Sequence, residues 1–438
     1  MIHPRRAGPS EPSLWRDRDF SRLWAASTVS FFGSFITRTA LPFAAILVLA
    51  AGPAEIALLR GLELAAGLAV GLFAGAWVDR LRRRPLMIGA DLGRAVLLGS
   101  IPLAALGGLL GLPQLIAVAF FAAVLTTFFN VADRSYLPTI VPRERLIAAN
   151  SALSASASAA EFAGFSASGF LIQLLTAPIA IAIDALSFVG SALVLATIRR
   201  PEPARPAVTE REPVLREIRE GLRVVARSPI LRALAVAHGS THFLWGVFTT
   251  AYLLFAIREI GLGPAAIGLI AGIGGLGSLA GAAIASRVSR RLGLGRAMVL
   301  GLAGFTFGNL LIPLAPSGAV VVGAALLTAQ QLIGDSAGTV SDVVQTSLTQ
   351  SIVEGRVLGR VNATVGTVTA LLQLAGTIAG GIVAEAFGLR AAMAVGVLGG
   401  LAGVAFVWFS PVRAIRDVTG QAPVGGAQGL VEELPLTE

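Results

Sequence analysis

Four ionisable residues stand inside long apolar runs with no opposite charge one helical turn away: Arg38, Glu161, Asp184 and Asp335. An ionisable group at the centre of a bilayer costs about 3 kcal/mol or more on insertion scales. Each must therefore meet a partner on another helix, change its protonation state or face water. Carboxylates so placed bind and release protons; an arginine so placed tunes a carboxylate or holds an anion. Two further pairs, Arg60–Glu63 and Asp91–Arg94, are spaced i,i+3 and neutralise each other on one helix face. His238 and His242 are spaced i,i+4 with Trp245 just beyond. Two histidines without a third ligand nearby read as polar packing or cavity lining, and no metal is expected. Cysteine is absent, which excludes disulfides and thiolate metal sites. No nucleophile–base constellation accompanies these residues, so neither an enzyme nor a cofactor is expected.

The elements that must position these groups are set by composition. Hydrophobic residues make up 55% of the 438 and charged residues only 13%. Soluble domains carry about 25% charged residues, and no soluble core absorbs this much Leu, Ala, Val and Phe. Lipid must act as solvent, and the expected fold is all-α and polytopic. A helix needs about 20 apolar residues to span a bilayer. Twelve such runs are present: 22–50, 54–78, 86–107, 113–136, 147–174 and 178–198, then 229–257, 264–286, 297–315, 317–342, 359–386 and 389–411. Gly52-Pro53, Pro113 and Pro178 punctuate them.

The net charge of +9 resembles a nucleic-acid signal, but its distribution removes that reading. Every basic residue is arginine, and most lie in the short gaps between runs. With the N-terminus inside, the even-numbered connections hold Arg80, Arg82, Arg83 and Arg84, then Arg134, Arg143 and Arg145, then a central cluster from Arg199 to Arg227. They continue with Arg287, Arg290, Arg291 and Arg296, then Arg356 and Arg360, and Arg413 and Arg416 in the tail. The opposite side holds only Arg258 and Arg390. This positive-inside bias predicts a multi-pass protein of the cell membrane with both termini cytoplasmic. Residues 1–21 carry Arg5, Arg6, Arg16 and Arg18 without the pattern of a secretory signal peptide, and read as a cytoplasmic segment.

Residues 199–228 form the one long polar interval between runs. Pro201, Pro203 and Pro206 mark a linker, and Val214, Ile218, Leu222 and Val225 then share one face, as in a helix lying on the membrane. The linker divides the chain into an N-terminal six-helix bundle (22–198) and a C-terminal one (229–411), followed by a cytoplasmic tail (412–438) without regular structure. A constant offset superimposes Asn150 on Asn362, Ala163 on Ala375, Gly164 on Gly376 and Gly169 on Gly381, and places Glu161 on Gln373. VDRLRRRPLMI after the second run likewise faces VSRRLGLGRAMV after the eighth. Two parallel halves around a central cavity are an architecture for alternating access. The runs GIGGLGSLAGA (272–282) and LAGTIAGG (374–381) read as small-residue faces for close helix approach, with no Lys-Ser/Thr to make a phosphate loop.

GAWVDRLRRRP, Gly75 to Pro85, resembles the loop signature between helices two and three of the major facilitator superfamily. Gly75, Asp79, Arg80, Arg83 and Arg84 match that signature, while Arg82 replaces its inner glycine. ADLGRA (90–95), DRSYLPTIVPRERLIAANS (133–151), IDALSFVGSAL (183–193) and REGLRVVARSPILRAL across the linker's end are similar to the macrolide-efflux and enterobactin-exporter branch. The resemblance covers roughly residues 15–412. It implies twelve helices in two pseudo-symmetric bundles and secondary-active export, usually by proton antiport. It also implies that Asp79, Arg83 and Asp133 form a latch at the inner ends of spans two and four. It places Glu63 on a cavity-lining span and Asp91–Arg94 outside the cavity.

Together these readings predict a proton-coupled antiporter that exports an amphipathic small molecule of drug, macrolide or siderophore type, acting as a monomer. Its pathway is expected to include Arg38, Glu63, Glu161, Asp184, His242, Trp245 and Asp335. Glu161 is the first choice for the proton carrier, being central and answered by the uncharged Gln373 in the second half. Asp184 instead pins span six against the bundle in the alternative reading. Two rival functions stay open: uptake of an anion through Arg38 by a facilitator or symporter, and a lipid-moving or non-transporting scaffold.

Overall fold

The computed structural model describes residues 14–78, 81–202 and 214–417, and helices account for nearly all of them. Thirteen α-helices follow in order among the described residues: α1 (Arg18–Leu47), α2 (Pro53–Val78), α3 (Arg83–Leu106), α4 (Leu112–Ile140), α5 (Leu146–Leu175), α6 (Ala177–Ala196) and α7 (Val214–Arg227). They continue as α8 (Pro229–Leu254), α9 (Pro264–Leu292), α10 (Leu294–Asn309), α11 (Val320–Ile352), α12 (Gly355–Phe387) and α13 (Leu389–Trp408). Twelve of these overlie the twelve apolar runs, and α7 is the amphipathic segment. Among the described residues nine are long and apolar enough to cross a membrane: α1, α3, α4, α6, α8 with the turn that extends it, α9, α11, α12 and α13. Helices are the physical answer here because a backbone in hydrocarbon must satisfy its own N–H and C=O groups.

Local chemistry fixes where the helices begin. Pro53 sits at the start of α2, and Glu55 reaches back to accept from Gly52 N at 2.5 Å, satisfying an orphan donor of the first turn. Ser228 caps α8 by accepting from Leu231 N, with Pro229 in the first turn. The start of α3 is capped from far along the chain: Glu202 accepts from Arg83 N and Arg84 N, each at 2.9 Å. A negative carboxylate there answers both the orphan amides and the positive end of the helix dipole. The α8 helix ends differently from the rest, in a π-helical turn over Phe255–Ile260 closed by Gly261 at φ +86°.

Two compact units emerge. The first comprises the described residues of Met1–Leu41, Ala69–Ser168 and Leu175–Ala207. Its α3 packs on α4 and α6, and Phe20, Leu23, Met87, Phe129, Tyr136 and Ile140 are buried together. The second comprises those of Pro42–Leu68, Gly169–Leu174 and Val208–Glu438. There α8 packs on α12 and α13, while α11 packs on α9 and α10. Both expected small-residue faces are used for close approach. A Cβ on Gly281 would fall 2.3 Å from Ser336 O on α11, and one on Gly376 would fall 2.1 Å from Phe243 O on α8. The amphipathic α7 lies against α12 rather than standing alone. Glu220 pairs with Arg360 at 2.8 Å and Val225 is buried, whereas Leu222 of the same apolar stripe stays exposed.

Candidate functional site

The first unit holds a sealed cluster of charges where α1, α3, α4 and α6 meet. Asp91 and Arg94 form the expected i,i+3 ion pair, both side chains 1% exposed or less. Arg94 also donates to Ser30 Oγ on α1 at 3.3 Å and to Thr126 Oγ1 on α4 at 3.4 Å. Its guanidinium lies between two rings, 4.0 Å from the centroid of Phe188 and 4.7 Å from that of Phe129. Cation–π attraction of this kind is stronger where water is excluded.

Asp184 of α6 belongs to the same cluster. It is fully buried and feels the charges of Arg94 and Asp91. Thr37 of α1 donates to its Oδ2, and Ser187, one turn further along α6, donates to its Oδ1 at 3.0 Å. Gly33 makes the space for this: a Cβ there would lie 1.9 Å from Asp184 Oδ1 and 2.2 Å from Ser187 Oγ. Two polar atoms of the cluster, Asp91 Oδ2 and Arg94 Nε, are buried without a partner among the described residues. Ser191 lies beside Asp91, but its hydroxyl donates to Ala26 O at 3.1 Å.

Arg38 and Glu161 are exposed on α1 and α5. Of the latch, Asp79 and Arg80 lie outside the described residues, and Gly75 is within α2. Asp133 is buried on α4 and accepts from Ser27 Oγ at 3.0 Å. Arg84 donates to the carbonyls of Leu195 and Ala196 at the end of α6, and its amide and that of Arg83 meet Glu202. Glu202 had no signal in the sequence, where it sat in an arginine- and proline-rich linker.

In the second unit Glu63 pairs with Arg60 at 3.0 Å, as the spacing required. His238 and His242 bring their rings to 4.4 Å on α8, with His242 Nδ1 3.0 Å from the His238 carbonyl. Trp245 is exposed on the same helix. Asp335 of α11 is part-buried beside α9, where Gly274 leaves room for its carboxylate and for Gln331. The buried Tyr252 hydroxyl has no hydrogen-bond partner among the described residues and feels the Asp335 charge. Among the described residues no three His, Asp or Glu side chains are grouped to hold a metal ion. The π turn of α8 carries a set of contacts that sequence reasoning did not anticipate. Arg258 donates to the carbonyls of Ala50 and Ala51, at 2.9 and 2.7 Å, while Glu259 accepts from Arg390 at 3.1 Å.

The described residues are almost all helical and seal charges between their helices, and comparison with known proteins decides the family. The family model for transmembrane secretion effectors of the major facilitator superfamily matches residues 10–426. The chain belongs to the major facilitator superfamily. Among the transporter's relatives, the MFS-type transporter YfiS of Bacillus subtilis (strain 168) is 25% identical over 394 residues, 88% of this chain and 91% of YfiS. The MFS-type transporter y4rN of Sinorhizobium fredii (strain NBRC 101917 / NGR234) is 26% identical over 281 residues, 64% of this chain and 67% of its own. Among solved structures, the nucleoside transporter NupG superposes with a TM-score of 0.68 at 12% identity, covering 89% of this chain and 97% of NupG. A bacterial homologue of the human lysosomal transporter Spinster, in an inward-facing and occupied conformation, gives 0.69 at 14% identity, covering 91% and 97%. These structural likenesses show the fold.

Proposed function

We propose that this transporter exports an amphipathic small molecule across the cell membrane in exchange for protons. The match to the secretion-effector family over residues 10–426 carries the reading. In it, twelve spans form two six-helix bundles, 22–198 and 229–411, joined by a cytoplasmic linker, with both termini on the arginine-rich side. The chemistry of the exposed groups supports the cargo class. Glu161 of α5 and Trp245 of α8 are exposed on helices whose other residues are largely apolar or small, and His242 is part-buried one turn from Trp245. The exposed side of α5 sets Asn150, Ser151, Ser154 and Ser158 beside the apolar Ile147, Phe162 and Phe170, and a surface that mixes hydrogen-bonding and apolar groups suits an amphipathic molecule. Glu161, open at the surface of α5, is the carboxylate where cargo and proton compete, while the latch at the inner ends of α2 and α4 holds the closed state on that side.

Reconstituted protein in liposomes with an imposed pH gradient tests this, using ethidium, a macrolide and a catecholate siderophore as probes. The expected result is movement of at least one probe opposite to the proton flow, lost in Glu161→Gln. Probe movement in the same direction as protons, or none with any gradient, overturns export by antiport. Unchanged coupled efflux in Glu161→Gln removes that residue from the mechanism.

A further inference from the structure

The sealed cluster in the first unit holds two carboxylates and one guanidinium. Asp91 and Arg94 neutralise each other, and Asp184 is left as a surplus negative charge with no exposed atom. A surplus charge in a dry interior is costly enough that such groups pair or neutralise. Among the described residues Arg94 is the cation whose charge reaches Asp184, and it is already paired with Asp91. Asp133 on α4 is a further carboxylate that feels Asp91, with Arg134 beside it, and α1 and α6 contribute Ser30, Thr37, Ser187 and Ser191.

The partners of Asp184 are also of a particular kind. Both are hydroxyls, and a hydroxyl donates to a carboxylate or accepts from a carboxylic acid by rotation alone. The site therefore fits the residue with or without a proton. Asp91, by contrast, is clamped by a guanidinium, which only donates. The unused Arg94 Nε donor and the unused Asp91 Oδ2 acceptor leave the neighbouring pair able to reorganise when the charge on Asp184 changes. Ser187 is partly exposed, which puts a single hydroxyl between the sealed carboxyl and the surface of α6.

We propose that Asp184 is a proton-binding site, distinct from Glu161, in which one proton balances the surplus charge of the Asp91–Arg94–Asp184 cluster. The proton reaches Asp184 Oδ1 from solvent through Ser187, whose hydroxyl passes on its own proton as it accepts another, and it returns the same way. Because Thr37 and Gly33 lie on α1 and Asp184 on α6, gain or loss of the proton changes the contact between these two helices. The inference rests on the proton-coupled reading above and deepens it.

Infrared difference spectroscopy of the full-length protein in lipid nanodiscs, recorded against pH, reads the protonated carboxyl directly. The expected spectrum contains a carboxylic-acid carbonyl band that titrates, disappears in Asp184→Asn and persists in Glu161→Gln. Ser187→Ala, which keeps the fold but removes one partner, moves the band's midpoint by about one pH unit, a tenfold change in proton affinity. A band that survives in Asp184→Asn, or one that is absent in the wild type at every pH, overturns the proposal. So does a midpoint that Ser187→Ala leaves in place, which covers the case in which Asp184→Asn fails to fold. A band that follows these expectations without any proton-coupled probe flux in liposomes sinks the antiporter reading and leaves the site standing.

Discussion

Single residues decide whether the buried charge is tolerated. Arg94 serves Asp91, Ser30, Thr126 and two aromatic rings at once. Its removal leaves Asp91 uncompensated in a dry interior, a loss of about 3–5 kcal/mol for a broken buried pair. Arg94→Ala is thus expected to lower the thermal midpoint in detergent more than Arg60→Ala, whose Glu63 partner is itself part-exposed. Equal shifts in a fluorescence-based melting series count against a structural role for the cluster. Gly33→Ala is expected to cost about 1–3 kcal/mol through overpacking, since the methyl group collides with Asp184 and Ser187. The Asp91–Arg94 pair was legible because both partners lie on one helix turn. Thr37 was not: it meets Asp184 across 147 residues of sequence, and nothing local marks which hydroxyl of α1 faces α6.

Elements add the second constraint, and the end of α8 shows how. The π turn Phe255–Ile260 carries Arg258 and Glu259 side by side. One grips the carbonyls of Ala50 and Ala51, and the other is held by Arg390, which also donates to Ala315 O at 2.7 Å and to Ser317 Oγ at 3.1 Å. Backbone carbonyls cannot be mutated away, so the arginine is the handle. The protein has no cysteine, and a thiol introduced at the buried Ala51 is the only one present. Ala51→Cys is expected to resist a membrane-impermeant maleimide and to react several-fold faster when combined with Arg258→Ala. An unchanged labelling rate means that Arg258 does not hold this turn. Helix ends were readable where Pro and Gly mark them, as at Pro53, Pro113 and Pro178, because those residues act on their own backbone. The π turn was invisible, since an apolar run read by period does not reveal one extra residue per turn.

At the scale of the whole molecule, the arginine distribution was the most informative feature of the sequence. Twelve apolar runs became helices nearly where composition placed them, because hydrocarbon leaves a backbone no alternative. Which side each connection occupies follows from charge and not from packing, and this makes it separately testable. Leu109 lies exposed in the arginine-poor connection between α3 and α4, and Arg143 lies exposed in the arginine-rich stretch between α4 and α5. Only one helix separates them, so a membrane-spanning α4 must put them on opposite sides. In intact cells an impermeant maleimide is expected to label Leu109→Cys and to spare Arg143→Cys until the membrane is permeabilised. The reverse pattern inverts the whole topology, since an alternating chain has only two orientations, and with it the inferred direction of export. Labelling of both in intact cells removes α4 as a span, and with it the assignment of the sealed cluster of α1, α3, α4 and α6 to the membrane interior.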